Sequence, residues 1–349
     1  MIRHFSVVLI AALAVIAWDL PGYAITPIPQ ESGISGFINI GLGGISAETN
    51  MVSGNSLVDI GDKRIDSIFD SPDSESDMLP VLNGELAYTF GSTRTQIYIG
   101  NSFEDFIRFE AASLIGLRQE LEDQSILAIS YIFSGLVTEV WEDPYVQGRD
   151  RRKTDRDVSG LRLGYDKILG SDFELEFTWR SIDLDDERSG LTQLVPGEVP
   201  GVVLTDAEAR LLDREGDSYE LEVLYPFRFQ QGQHILAPSV SYTNSDLDGD
   251  AMANDRYQIQ LTYFYTGDMF DVAANALYAY VDYDKTNPIY GKTREDDVYG
   301  GSLALFYKNL LDVEKLSLVG TVAGFRSDAN IDFYETTVSL FTLSVLYRF

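Results

Sequence analysis

Cysteine is absent from this 349-residue chain, and histidine occurs only at His4 and His234. Without cysteine there is no disulfide framework, no thiolate nucleophile and no lipid-anchored terminus. Ordinary zinc and haem sites lack their usual ligands as well. Basic residues are also scarce: 26 Lys and Arg stand against 55 Asp and Glu, a net charge of −29. That sign opposes binding to nucleic-acid phosphates. Long apolar runs are missing too. The longest, Phe5 to Trp18, is shorter than the ~20 residues a membrane-spanning helix needs.

Tyrosine and phenylalanine are abundant, 20 and 19 residues, and 45% of the chain is hydrophobic. An acidic chain this rich in aromatics can bury a large surface and is not disordered by composition. Its first residues, Met1-Ile-Arg-His followed by the apolar run and then Leu20-Pro-Gly-Tyr-Ala24, have the charge, core and small closing residue of a secretory signal peptide. Residues 1–24 are therefore expected to be a leader cleaved after Ala24, and 25–349 the mature protein. No Pro/Ser linker or break in composition divides the mature chain, so it reads as one domain.

Strand periodicity recurs from about Ile34 to Phe349, with no sustained helical period. In Phe173-Glu-Leu-Glu-Phe-Thr-Trp-Arg180, aromatic and aliphatic residues alternate with charged and polar ones. Tyr219–Tyr225 and Tyr257–Tyr263 repeat the design. A sandwich would turn the aromatic face to a second sheet, whereas a membrane barrel turns it to lipid and the polar face to the lumen.

Connection lengths favour the barrel. Short turns near 91–93, 122–124, 169–171, 231–233, 266–268 and 309–312 alternate with longer acidic segments at 49–79, 142–157, 183–217, 244–256 and 284–297. Aromatics sit beside nearly every short turn: Phe90, Tyr165, Phe173, Tyr225, Phe227, Tyr265, Phe270, Tyr307 and Phe349. Tyr131, Phe133, Tyr242, Tyr257, Tyr278, Tyr280 and Tyr299 supply a second belt. The expectation is an all-β protein, a single transmembrane antiparallel up-and-down β-barrel in the bacterial outer membrane with about 14 strands. Its strands begin near residues 34, 81, 94, 107, 125, 157, 172, 217, 234, 256, 270, 297, 316 and 335, with twelve and sixteen as the alternative counts.

Candidate functional residues follow from the alternation. Glu174, Glu176, Glu220, Glu222, Arg108, Arg118, Arg162 and Arg180 are expected to face the lumen, with Glu176 beside Glu222 and Arg162 offsetting them. His234 falls at a short turn with no evident nucleophile or carboxylate beside it, so catalysis is not expected. Asn244, Asp246, Asp248, Asp250 and Asp255 surround Gly249 at the spacing of a twelve-residue calcium loop. An acidic hairpin tip explains the same string, so Ca2+ is the single candidate cofactor. The acidic segment 183–217 is expected to be solvated, or bridged by divalent cations to lipopolysaccharide phosphates. With so little chain before the first strand, no plug domain is expected.

Five strings are distinctive: Gly36–Gly44 (GFINIGLGG), Lys63–Ser76 (KRIDSIFDSPDSES), Thr138–Gly148 (TEVWEDPYVQG), Thr154–Arg156 (TDR) and Leu211–Asp217 (LLDREGD). Together they resemble an uncharacterised bacterial family known as domain of unknown function 2860. The resemblance covers essentially the whole mature chain and implies a secreted envelope protein. It assigns no activity and no site residues.

Two functional classes fit. One is a passive, weakly cation-selective channel or facilitator for small solutes. The other is a non-conducting surface barrel working through its acidic loops. Outer-membrane lipid, lipopolysaccharide and the barrel assembly machinery are the expected partners. Tyr347 and Phe349, ending an alternating strand, resemble the closing signal that this machinery reads, with Ser344 where glycine is usual. Replacing Phe349 by Ser is expected to slow assembly and leave protein in the periplasm, which fractionation would measure. Native protein recovered as a soluble periplasmic species would rule out the barrel.

Overall fold

A computed structural model describes residues 28–101, 112–197 and 202–349. The proposed leader and Arg108 lie outside these residues. The described chain forms one antiparallel sheet of eighteen segments. Four are short: β2 (Val52–Asn55), β3 (Val58–Asp59), β8 (Thr138–Trp141) and β12 (Phe227–Phe229).

The other fourteen are the barrel staves. They are β1 (Gly33–Glu48), β4 (Ser74–Phe90), β5 (Thr95–Asn101), β6 (Ala112–Glu120), β7 (Ile126–Ser134), β9 (Lys153–Asp166) and β10 (Glu174–Leu184). β11 (Gly216–Leu224), β13 (His234–Leu247), β14 (Asn254–Thr266), β15 (Phe270–Asn287), β16 (Lys292–Tyr307), β17 (Leu316–Ala329) and β18 (Thr336–Arg348) complete the ring. Each pairs with its neighbours in sequence, and β1 pairs with both β4 and β18, which closes the barrel. The seam runs through the last residue: Gly36 N donates to the Phe349 carbonyl at 3.2 Å, and Phe349 N to the Gly36 carbonyl at 3.0 Å. Gly41 and Gly43 permit this close pairing, because a Cβ at either would lie 2.3 or 2.1 Å from a β18 carbonyl oxygen.

Burial is inverted relative to a soluble protein. Ile34 is 65% exposed and Phe341 64%, while Asn39, Thr178 and Arg180 on the opposite face are at most 2% exposed. Apolar side chains thus cover the outside of the cylinder and polar ones line the inside, the pattern lipid imposes. No described helix is long and apolar enough to cross a membrane.

Two aromatic belts bound the apolar zone. At the short-turn end, Phe173, Tyr225 and Phe227 meet edge to face in series, with ring centres 4.8 Å apart, and Phe270 meets Tyr307 at 5.2 Å. At the other end, Tyr242, Tyr278 and Tyr299 donate their hydroxyls to Asp255, Asp297 and Asp328 on adjoining strands, at 2.5 to 2.8 Å. Trp179 donates to Asp217 in the same way. Each ring stays in the apolar zone while its polar edge reaches the carboxylates beyond it.

The strands outrun that zone. β15 has 18 residues, about 60 Å at the usual rise, where 9–11 residues suffice to cross a bilayer. The connections are accordingly shorter than the sequence pattern indicates, because beyond lipid both faces become polar and the alternation disappears.

The long loops are not the solvated acidic surface expected of them. Ile65 and Ile68 from the loop after β1 pack with Tyr145, Val202, Leu204, Leu212, Met252, Ile289, Phe333 and Tyr334 in one core. Six loops contribute, and those after β1 and β10 arise from nearly opposite walls. A core joining opposite walls has to cross the mouth, so the loops form a cap. Buried arginines staple it. Arg151 donates to the carbonyls of Asn50 at 2.9 Å, Pro144 at 3.2 Å and Asp62. Arg214 donates to Glu187 at 2.9 Å and to the carbonyls of Trp141 and Glu142 at 2.8 and 3.1 Å. Burial lowers the Arg151 guanidinium to about 10.

Inside the cap, the hydroxyls of Tyr145 and Tyr334 share a 2.6 Å hydrogen bond, and Asn287 Nδ2 donates to Tyr334 at 2.7 Å. Burial raises both tyrosines above their ordinary value of 10.0. With a raised folded-state value, their contribution to stability is fully present below the ordinary value and is lost as pH rises from there through the raised one. The cap is therefore expected to resist external protease up to about pH 10 and to open above it, with tyrosinate absorbance appearing in step. Absorbance rising well before cleavage would contradict this.

Candidate functional site: the charged inner wall

The inner face of β4 to β11 carries the barrel's charged wall. On β4 to β6, Arg118 makes a bidentate pair with Glu85, at 2.9 and 3.2 Å, and donates to Gln96 at 3.0 Å. Its guanidinium lies 3.8 Å from the centre of the Tyr98 ring. At the short-turn rim, Arg94 pairs with Glu120 and donates to the carbonyls of Ile28 and Pro29, at 2.7 and 2.5 Å. Ile28 is buried against Ile126 with Ala128 beside it. Residues 28–32 thus cross the rim from β1 to the inside of β7.

β9, β10 and β11 form a ladder of alternating charge. Glu176 and Glu222 are directly opposed in the register of β10 and β11. Arg162 Nε on β9 lies 3.1 Å from Glu176 Oε1 and 3.2 Å from Thr178 Oγ1. One step further, Arg180 Nη1 donates to Glu220 Oε2 at 2.9 Å, both side chains almost fully buried. Glu174 is buried below them, near the short turn that joins β9 to β10. Asp166, Glu174, Glu176 and Glu222 line a small recess together with Gly164, Tyr165, Leu175 and Leu224. The remaining wall also holds an ion pair, with Lys308 Nζ 3.0 Å from Asp271 Oδ1. At its short-turn end Ile235, Phe264, Ala273, Phe306, Val319 and Leu346 form an apolar cluster against Phe37.

The structure therefore places Glu174, Glu176, Glu220, Glu222, Arg118, Arg162 and Arg180 on one surface. Sequence reasoning missed Glu85 and Asp166. Both were findable: Glu85 alternates with outward Leu86 on β4, and Asp166 ends the inward series on β9.

The calcium-spaced string does not form a calcium loop. Asn244 and Asp246 lie on β13 and Asp255 on β14, leaving only 248–253 as a turn. Asp255 instead accepts from Asn244 Nδ2 at 3.0 Å and from Tyr242. Among the described residues, no group of three or more His, Asp or Glu side chains is placed to hold a metal ion. The physical reason is strand pairing, which holds Asn244 opposite Asp255 in an extended ladder where ligation needs a tight coil. His234 sits among the outward aromatics, 2.7 Å from the Tyr263 hydroxyl.

A closed antiparallel cylinder, apolar outside, polar inside and belted by aromatics, is a transmembrane β-barrel, and in bacteria such barrels occupy the outer membrane. This chain is one of them. It belongs to the family described as protein of unknown function (DUF2860), whose model matches residues 33–348. No curated protein matches it. Among solved structures it resembles a loop L8 deletion mutant of OmpT, an outer membrane protein of Vibrio cholerae, at 9% identity and a TM-score of 0.41, covering 91% of this chain and 99% of that one. A Pseudomonas aeruginosa FadL homologue gives 14% identity and a TM-score of 0.41 over 90% of each chain. An anion-selective porin from Comamonas acidovorans gives 10% identity and a TM-score of 0.38 over 91% of this chain and all of that one. Overlaps this loose leave function to the chain's own geometry.

The Arg180–Glu220 pair gives a direct test of the wall's energetics. Removing one member of a buried pair costs about 3 kcal/mol or more, because the remaining charge loses its counterion, whereas replacing both is nearly neutral. Arg180→Met is expected to lower stability by that amount in urea unfolding from lipid vesicles, and Arg180→Met with Glu220→Met to recover most of it. Equal losses in the single and double variants would show that the pair does not couple.

Proposed function

We propose that the protein is a passive, weakly cation-selective facilitator for small solutes, with the capped end outside the cell and the short turns in the periplasm, and with no catalytic role. One observation carries this reading. Among the described residues, the carboxylates on the inner face of β4 to β11, Glu85, Glu120, Asp166, Glu174, Glu176, Glu220 and Glu222, outnumber the guanidiniums Arg94, Arg118, Arg156, Arg162 and Arg180. Low-dielectric walls focus such an excess and raise the local cation concentration. Acid facing base across a narrow lumen also orders solutes by charge. The side chains of Glu85 and Glu176 are the most open of the paired residues, 28% and 33% exposed, so water reaches this wall.

The cap favours a second reading, a non-conducting barrel presenting a rigid outer surface. The two readings separate in a planar bilayer. For the facilitator, reversal potentials should show a modest cation preference, stronger at low salt. Replacing Glu174, Glu176, Glu220 and Glu222 together by Gln should reduce it. Anion preference in the unmodified protein, or no conductance at all, would reject the facilitator in favour of the surface barrel.

A further inference from the structure

We propose that the recess between β9, β10 and β11 is a binding site for a small organic cation, an ammonium or guanidinium group carrying a short apolar body. The inference deepens the facilitator reading and rests on it only for biological purpose, because binding is measurable without transport.

Four of the eight lining residues are carboxylates, Asp166, Glu174, Glu176 and Glu222, and none is basic. Glu176 is engaged by Arg162, and nearby Arg228 is engaged by Asp172 at 2.5 Å. Glu174 is the telling residue. It is 7% exposed, lines the recess, and among the described residues its Oε2 has no hydrogen-bond partner. An ionised carboxylate buried in this way costs several kcal/mol unless a counter-charge or donor completes it. Charge and unfilled acceptor capacity therefore meet at this recess.

The shape selects the cation. No three carboxylates converge to coordinate a metal among the described residues, so a bare divalent ion does not suit the site. An ammonium or guanidinium has N–H donors that fan outwards and reach acceptors spread around a cavity. Leu224, directly opposite Glu174 in the register of β10 and β11, offers an apolar side.

The probe is n-butylammonium, with n-butanol as the uncharged isostere, titrated by calorimetry into the refolded full-length barrel in detergent. Butylammonium should bind and butanol should not. Glu174→Gln should weaken binding by about tenfold, the order expected when a charge-assisted hydrogen bond becomes a neutral one. Asp312→Asn, in the turn between β16 and β17, should bind as the unmodified protein does. Heat-modified gel mobility checks that each variant is folded; should Glu174→Gln not fold, Glu222→Gln takes its place with the same expectation. Equal signals for the two probes, or undiminished binding by the folded variant, would overturn the site. Loss of the site with cation-selective conductance intact would leave the facilitator reading standing. Binding without conductance would remove that reading and keep the site.

Discussion

Hydrocarbon offers no hydrogen bonds, so every backbone amide of the spanning segment has to find its partner within the protein. The β1–β18 seam is where that requirement is completed. Its ladder runs from Glu48 opposite Thr337 to Phe37 opposite Arg348, and the bonds between Gly36 and Phe349 extend it to the end of the chain. With the cylinder closed, every described stave has a neighbour on both sides and the sheet has no end strand. The outward apolar face, the inward polar face and the belts at either end all follow from a wall that has only two sides.

Closure also sets the character of the interior. Polar groups confined within a low-dielectric wall need partners, and the charged wall supplies them as Arg118 with Glu85, Arg162 with Glu176 and Arg180 with Glu220. Each pair joins residues on different strands, so the charges are held by the register of the sheet. The opposite wall instead packs Phe264, Phe306 and Leu346 at its short-turn end. That wall keeps polar groups of its own, among them Gln258, Thr262, Thr321 and the Lys308–Asp271 pair.

Beyond the lipid the ordinary hydrophobic effect returns, and it builds the cap. Acidic composition made these loops look solvated, yet Ile68, Leu212 and Phe333 are fully buried there. Three of the distinctive strings in the sequence, Lys63–Ser76, Thr138–Gly148 and Leu211–Asp217, supply Ile65, Ile68, Trp141, Asp143, Tyr145, Leu212 and Arg214 to this region. Asp143 illustrates how an acidic residue becomes structural: its carboxylate accepts from the backbone of Tyr145, Gly190 and Thr192 at 3.0 to 3.2 Å. The acidic residues are partly the hydrogen-bond acceptors that let irregular backbone pack tightly.

The sequence by itself determined the staves, because a strand between lipid and lumen must alternate at every residue, as Phe173 to Arg180 does. It determined the inward side of Glu174, Glu176, Glu220 and Glu222 by the same parity, and the belts by where aromatics meet short turns. Only the tertiary structure decided which charges pair, since Arg118 meets Glu85 through a register between strands that no local pattern records. It also decided against a calcium loop, because cross-strand pairing holds Asn244 opposite Asp255. The cap was hidden for the same reason. Its core is assembled from one or two apolar residues per loop, such as Met252 or Ile289, and burial of that kind leaves no period along the chain. It arises only when a closed barrel brings six distant loops to the same mouth.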